Sequence, residues 1–221
     1  MSEMNRTEPD ARALEDAVAQ VRELIAHLRK TTAEKALLEQ VASEVASLNR
    51  KLAPADHAGP YMQAALFVPE GPRPERTTDV PAEYFRYSPI IGPGNPVAPP
   101  VEFHLEGEEL TALHVFDAPY NGPPTSVHGG VIALVFDELL GSLGAIRDVG
   151  GFTGTLKVVY RSLTPIGKPI RMRSWIDRKE GVKVFIQGTM HHEDRLCAEA
   201  EGIFIQPKAS VLEDALARGR G

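Results

Sequence analysis

The chain has 221 residues, 43% of them hydrophobic and 24% charged, with one cysteine and a net charge of −6. This length and apolar content support one sizeable core with an appendage, or two small domains. A single cysteine excludes a disulfide framework and any multi-thiolate metal site, and the negative charge offers no general pull toward nucleic acid or an anionic membrane surface.

Met1 to Asp10 is polar and lacks the apolar core of a secretory leader. No apolar stretch approaches the roughly 20 residues of a membrane span. The expectation is a soluble, cytoplasmic protein that binds no nucleic acid and makes no integral membrane contact.

Residues 1–52 are predicted to form a helical hairpin. Apolar residues recur at Leu14, Val18, Val21, Ile25 and Leu28, and again at Leu38, Val41, Val45, Leu48 and Leu52. Each set draws one stripe along a helix, with Glu, Arg and Lys on the remaining faces. Between them, Thr31-Thr32-Ala33-Glu34 matches the S/T-x-x-E box that starts a helix. Two helices bury too little surface to stand alone, so an antiparallel pair docked on the main domain or on another subunit is expected. A packing or oligomerisation arm is the plain reading, and a partner-recognition helix the sharper one.

Residues 53–97 are predicted to form an arm. Prolines from Pro54 through Pro96 forbid a long helix or a central strand. Tyr61, Leu66, Phe67, Tyr84, Phe85 and Tyr87 are interleaved with them, which suits a segment laid over a folded domain rather than a disordered linker.

Residues 98–208 carry the main domain, with 209–221 as a tail. Val101–Leu105 and Leu110–Asp117 read as strands across a short turn. Then comes the stretch around which the chain is organised, Val127-His128-Gly129-Gly130 followed by an apolar run into Asp137-Glu138. Such a run suits a helix enclosed in a core. A carboxylate placed there costs several kcal/mol unless it is paired, hydrogen-bonded or used. The two glycines leave backbone N–H groups unshielded at the helix start, where the dipole favours negative charge. An anion-stabilising corner followed by a buried acid is suited to acyl transfer.

After the helix the alternation is regular. Leu156, Val158 and Tyr160 share one face, as do Ile170, Met172, Ser174 and Ile176, then Val182, Val184 and Ile186, then Leu196, Ala198, Ala200 and Phe204. One-sided alternation means an antiparallel sheet with one wet face. Two strands, a buried helix and four more strands predict an α+β hotdog fold, a curved sheet wrapped around its helix.

The segment Gly122-Pro123-Pro124-Thr125-Ser126-Val127-His128-Gly129-Gly130, with Asp137-Glu138 on the following helix, resembles the PaaI-like acyl-CoA thioesterases of the hotdog superfamily. Within that family it looks like the THEM-type branch. Thr153-Gly154-Thr155-Leu156-Lys157-Val158-Val159-Tyr160-Arg161, Ala198-Glu199-Ala200-Glu201-Gly202 and Gly94-Asn95-Pro96 are similar to it as well. The resemblance covers roughly Tyr87 to Pro207 and leaves out the N-terminal helices.

It implies hydrolysis of a medium- to long-chain fatty acyl-CoA to free acid and CoA. Asp137 matches the acid that activates water or attacks the thioester. Gly129 matches the residue whose N–H polarises the thioester carbonyl, with Gly130 beside it, and Thr153 matches the hydroxyl residue that positions the water or the acid. His128 matches a histidine that shapes the site. The acid of one subunit faces the His-Gly-Gly segment of another, so the resemblance implies a homodimer or a dimer of dimers. It implies no cofactor and no metal.

The sequence departs from the family at Gly122. Related sites often carry Asn or Gln there, so either Asn121 is offset into that role or the site works without it. Glu138 lies about 100° around the helix from Asp137, which favours a structural pairing over substrate contact. Thr155 is the alternative hydroxyl to Thr153. Arg161, Lys168, Arg171 and Arg173 are candidates for the phosphates of coenzyme A, although Arg171 and Arg173 can equally pair with Glu199 and Glu201 across strands. Cys197 reads as a packed small residue. Two rival functions stay open: a hotdog that binds acyl-CoA without hydrolysing it, and an acyl-thioester hydratase or dehydratase.

Overall fold

The computed structural model describes residues 9–59, 61–66 and 78–206; the expected 209–221 tail lies outside them. Two helices lead, α1 (Ala11–Lys30) and α2 (Lys35–Leu52), followed by a single helical turn, α3 (Pro81–Tyr84). Strands β1 (His104–Glu106) and β2 (Glu109–Val115) precede the long helix α4 (Gly129–Ile146). Four strands close the domain: β3 (Phe152–Tyr160), β4 (Pro169–Glu180), β5 (Lys183–His192) and β6 (Arg195–Ile205). All pairings are antiparallel, and the sheet order is β1-β2-β4-β5-β6-β3. The sheet folds over α4 as the hotdog reading requires. The first strand begins three residues later than expected, at His104, because Val101 and Phe103 are core residues of the preceding extended segment.

The alternation places the core as predicted in β4, β5 and β6, whereas in β3 Leu156 and Val158 are half-buried and Tyr160 is exposed. Ile170, Met172 and Ser174 of β4, Val184, Ile186 and Met190 of β5, and Ala198, Ala200 and Phe204 of β6 are buried against α4. Val182 is an exception: it sits in the β4–β5 turn beside Gly181, whose φ is +57°, and remains exposed. On the helix, Ile132, Val135, Phe136, Leu139, Leu140 and Leu143 are buried. α4 is apolar and long enough to cross a membrane by composition, but half of it is buried under its own sheet, as befits a core helix. The end of the arm is part of this core, since Ile90 and Ile91 are fully enclosed.

The N-terminal helices depart from expectation in three ways. The Thr31–Glu34 box caps nothing: Thr31 terminates α1, its hydroxyl accepts from the Ala33 N–H at 3.0 Å, and α2 starts at Lys35 without a side-chain cap. Only α1 docks. Val18 is buried, the Arg22 guanidinium donates to the carbonyls of Gly92, Pro93 and Asn95 at 2.8–3.0 Å, Arg86 pairs with Glu15, and Lys30 pairs with Asp117. α2 buries none of its residues and packs along neither α1 nor the sheet, so the two helices do not form the antiparallel pair that their stripes suggested.

Candidate active site

The loop before α4 is built to present its N-terminus. A 3-10 turn, Ala118–Tyr120, is capped by the Asp117 carboxylate at 2.7 Å. The Tyr120 carbonyl accepts from the His128 N–H at 2.9 Å, and the Thr164 carbonyl accepts from Val127 at 2.8 Å. Thr125 holds a left-handed backbone at φ 61°, a conformation that non-glycine residues keep only where their surroundings over-determine it. Here the Ile166 N–H donates to its carbonyl at 3.0 Å.

His128 is the N-cap of α4. Its Nδ1 accepts from the Gly130 N–H at 3.0 Å, which leaves Nε2 as the outward ring nitrogen. The Gly130 amide is therefore occupied, whereas the Gly129 N–H makes no hydrogen bond among the described residues. That amide heads an 18-residue helix, where partial positive charge accumulates.

Two turns along the helix, Asp137 Oδ1 accepts from the Thr153 hydroxyl at 2.8 Å. A bulge in β3 produces this contact. The register shifts between Thr153 and Thr155, so Thr153 stands opposite the buried Phe204 while Thr155 stands opposite Ile203, on the outer face. Strict alternation would have put both threonines on one side, and the extra residue at Gly154 turns Thr153 alone toward the helix. Thr155, expected near substrate, lies on the face away from Asp137.

Tyr160 was not singled out from the sequence beyond its place in the strand motif. Its hydroxyl donates to the Gly129 carbonyl at 2.8 Å, and its ring lies 3.5 Å from where a Gly129 Cβ would stand. It braces the glycine turn from β3. The signal was its helix-facing position at the end of the Thr153 strand.

Asn121, Glu138, Arg161 and Arg173 are held by partners within the chain. The Asn121 amide donates to the carbonyls of Gly122, Pro123 and Ser126 at 2.8–3.1 Å, so its donors fasten its own loop. Gly122 lies so close to His128 that a Cβ would stand 2.6 Å from the His128 Cα, which leaves no room for an Asn there. Glu138 points away from Asp137. Burial pushes its pKa up, the Ser88 hydroxyl donates to it, and the Asp137 charge adds to the upward push. Ser88 itself accepts from the amides of Ile90 and Ile91, so Glu138 ties the arm to α4. Arg161 is paired with Glu199. Arg173 makes a two-pronged pair with Glu109 at 2.6 and 2.8 Å, Glu199 is taken by Arg161 and Glu201 is held by Gln187, so the alternative pairing of Arg171 and Arg173 with Glu199 and Glu201 is not formed. Cys197 is buried, as expected.

No family model matches the chain. It is 38% identical over 108 residues to the acyl-coenzyme A thioesterase THEM4 of Xenopus laevis, a match covering 47% of this chain and 48% of that protein. It is 29% identical over 87 residues to the human acyl-coenzyme A thioesterase THEM5, covering 38% of this chain and 35% of that protein. The chain thus spans about half, or less, of the length of these curated relatives. A crystal structure of a thioesterase superfamily protein superimposes with a TM-score of 0.75 at 28% identity, over 90% of this chain and 94% of that one.

Proposed function

We propose that this hotdog-fold chain, similar to THEM-type acyl-coenzyme A thioesterases, is itself an acyl-CoA thioesterase. It hydrolyses an acyl thioester and water to a free carboxylic acid and the CoA thiol. The observation that carries this reading is the Thr153–Asp137 hydrogen bond on the same helix whose first amide, Gly129, has no hydrogen-bond partner among the described residues.

A thioester is already activated, so the main demand is to stabilise the oxyanion that forms on the carbonyl. The Gly129 N–H supplies a donor aligned with the helix dipole, and one such donor is typically worth about 3 kcal/mol. Asp137 keeps its second carboxylate oxygen available while Thr153 fixes the first. It takes a proton from the attacking water, or attacks the carbonyl itself. His128 fixes the glycine turn through its Nδ1 and presents Nε2 to the site.

The two halves lie too far apart in one chain. Eight helical residues separate Gly129 from Asp137, about 12 Å at 1.5 Å per residue, whereas both groups must reach a single carbonyl within about 3 Å. A second copy, supplying its Gly129 to this chain's Asp137, resolves the mismatch. The nine-residue β3 is an open edge of the sheet, and exposed Phe152, Tyr160 and Leu134 flank it. An unpaired edge with apolar neighbours suits pairing with the same edge of another subunit. The active unit is proposed to be a homodimer or a dimer of dimers.

The acyl chain is proposed to be medium to long, on the apolar character of the arm laid over the domain at Tyr84, Phe85, Ile90 and Ile91. Thiol release by the purified chain across acyl-CoA lengths tests the proposal. Hydrolysis that depends on Asp137 supports it; tight binding without hydrolysis would favour a regulator, and hydration of an enoyl thioester a hydratase.

A further inference from the structure

The helix α2 is an 18-residue element that, among the described residues, buries no side chain fully and packs along no other long helix or strand, although Val41 and Val45 are half-buried. Leu37, Leu38, Leu48 and Leu52 are 52%, 38%, 54% and 66% exposed. A helix of this length draws most of its stability from packing an apolar face, so a bare stripe of leucines is the wrong surface to leave in water. The stripe has a strict pattern. Leu38, Val41, Val45, Leu48 and Leu52 alternate by three and four residues, the a/d seam of a coiled coil rather than the wider face of a helix lying on a sheet.

We propose that α2 is a self-association helix that pairs antiparallel with α2 of a second copy of this chain. The occupant follows from the charges that flank the seam. With Val45 set against Leu48 of the second copy, Val41 meets Leu52, and the flanking Glu44 stands beside Lys51 of the second copy. Two-fold symmetry repeats that pair on the other side. A slip of one heptad places Glu44 beside Glu44 of the other copy, a like-charge contact. A parallel arrangement sets Glu44 against uncharged Asn49 and Lys51 against Asp56, which lies beyond the end of α2. The charges therefore select one orientation and one register. α2 follows α1 after only four residues and α1 is fixed to the domain by Arg22, so the pair holds two whole subunits together. Two and a half heptads are weak alone and effective when the subunits also meet elsewhere. The inference stands on the helix and does not depend on the catalytic reading.

The test is particle mass against concentration for the full chain, by light scattering and sedimentation, with circular dichroism to verify folding. Leu48→Glu is expected to move assembly to higher concentration or to halve the largest particle. Glu44→Lys and Lys51→Glu, taken singly, are each expected to weaken assembly roughly threefold to tenfold. The double variant Glu44→Lys/Lys51→Glu is expected to recover it, because the pair is re-formed with its signs exchanged. A folded Leu48→Glu chain that assembles like the parent overturns the proposal, as does a double reversal no better than the single ones. The readout is mass, so a chain that assembles through α2 but hydrolyses nothing would refute only the enzymatic reading.

Discussion

The Thr153 hydroxyl donates to Asp137 Oδ1 at 2.8 Å, joining the edge strand of the sheet to the middle of the core helix. A hydrogen bond to a charged carboxylate contributes about 1.5–3 kcal/mol, so Thr153→Ala is expected to lower kcat by roughly tenfold to a hundredfold. Thr153→Ser keeps the donor and is expected to stay close to the parent. Asp137→Ala removes the acid itself, with an expected loss of about 10²–10⁴-fold. Thiol release under saturating acyl-CoA measures all three, and an Asp137→Ala chain of undiminished activity would sink the mechanism.

Tyr160→Phe removes the donor to the Gly129 carbonyl while leaving the ring in place. One neutral hydrogen bond is worth about 1 kcal/mol net, so kcat/KM is expected to fall roughly fivefold. The thermal midpoint should move little, because the hydroxyl lies at an exposed edge. A purely structural tyrosine would show the reverse, a lower midpoint with unchanged turnover.

Burial raises the Glu138 pKa above its ordinary value near 4.5. The folded chain then holds this proton to higher pH than the unfolded chain does. The stability contributed by the protonated group is complete below the unfolded pKa and is lost as pH rises through the folded one. Glu138→Gln is neutral throughout and escapes this loss. Its unfolding midpoint should therefore gain on the parent as pH rises above about 4.5. Parallel midpoint-against-pH curves for the two chains would contradict the assignment.

Gly122→Ala forces a Cβ to within 2.6 Å of the His128 backbone. Overpacking of this kind costs about 1–3 kcal/mol, readable by denaturant unfolding. Gly122→Asn is expected to be at least as damaging, and activity should fall because His128 is displaced. A gain of activity in Gly122→Asn would show that an amide does fit there.

The sequence by itself determined the helix-centred sheet, most of the buried residues of β4, β5 and β6, and the pairing of a His-Gly-Gly turn with an acid on the following helix. These are local periodicities, and a one-residue slip of any strand would have exposed its whole apolar face. The choice between Thr153 and Thr155 belonged to tertiary structure, because a bulge defined by the Ile203–Phe204 partners reverses the alternation at Gly154. So did the role of Tyr160, whose hydroxyl meets Gly129 across 31 residues of chain. The similar apolar stripes on α1 and α2 could not tell which helix would dock. Arg22, with three carbonyls to bind, settled that for α1 and left Leu38, Leu48 and Leu52 of α2 open to water.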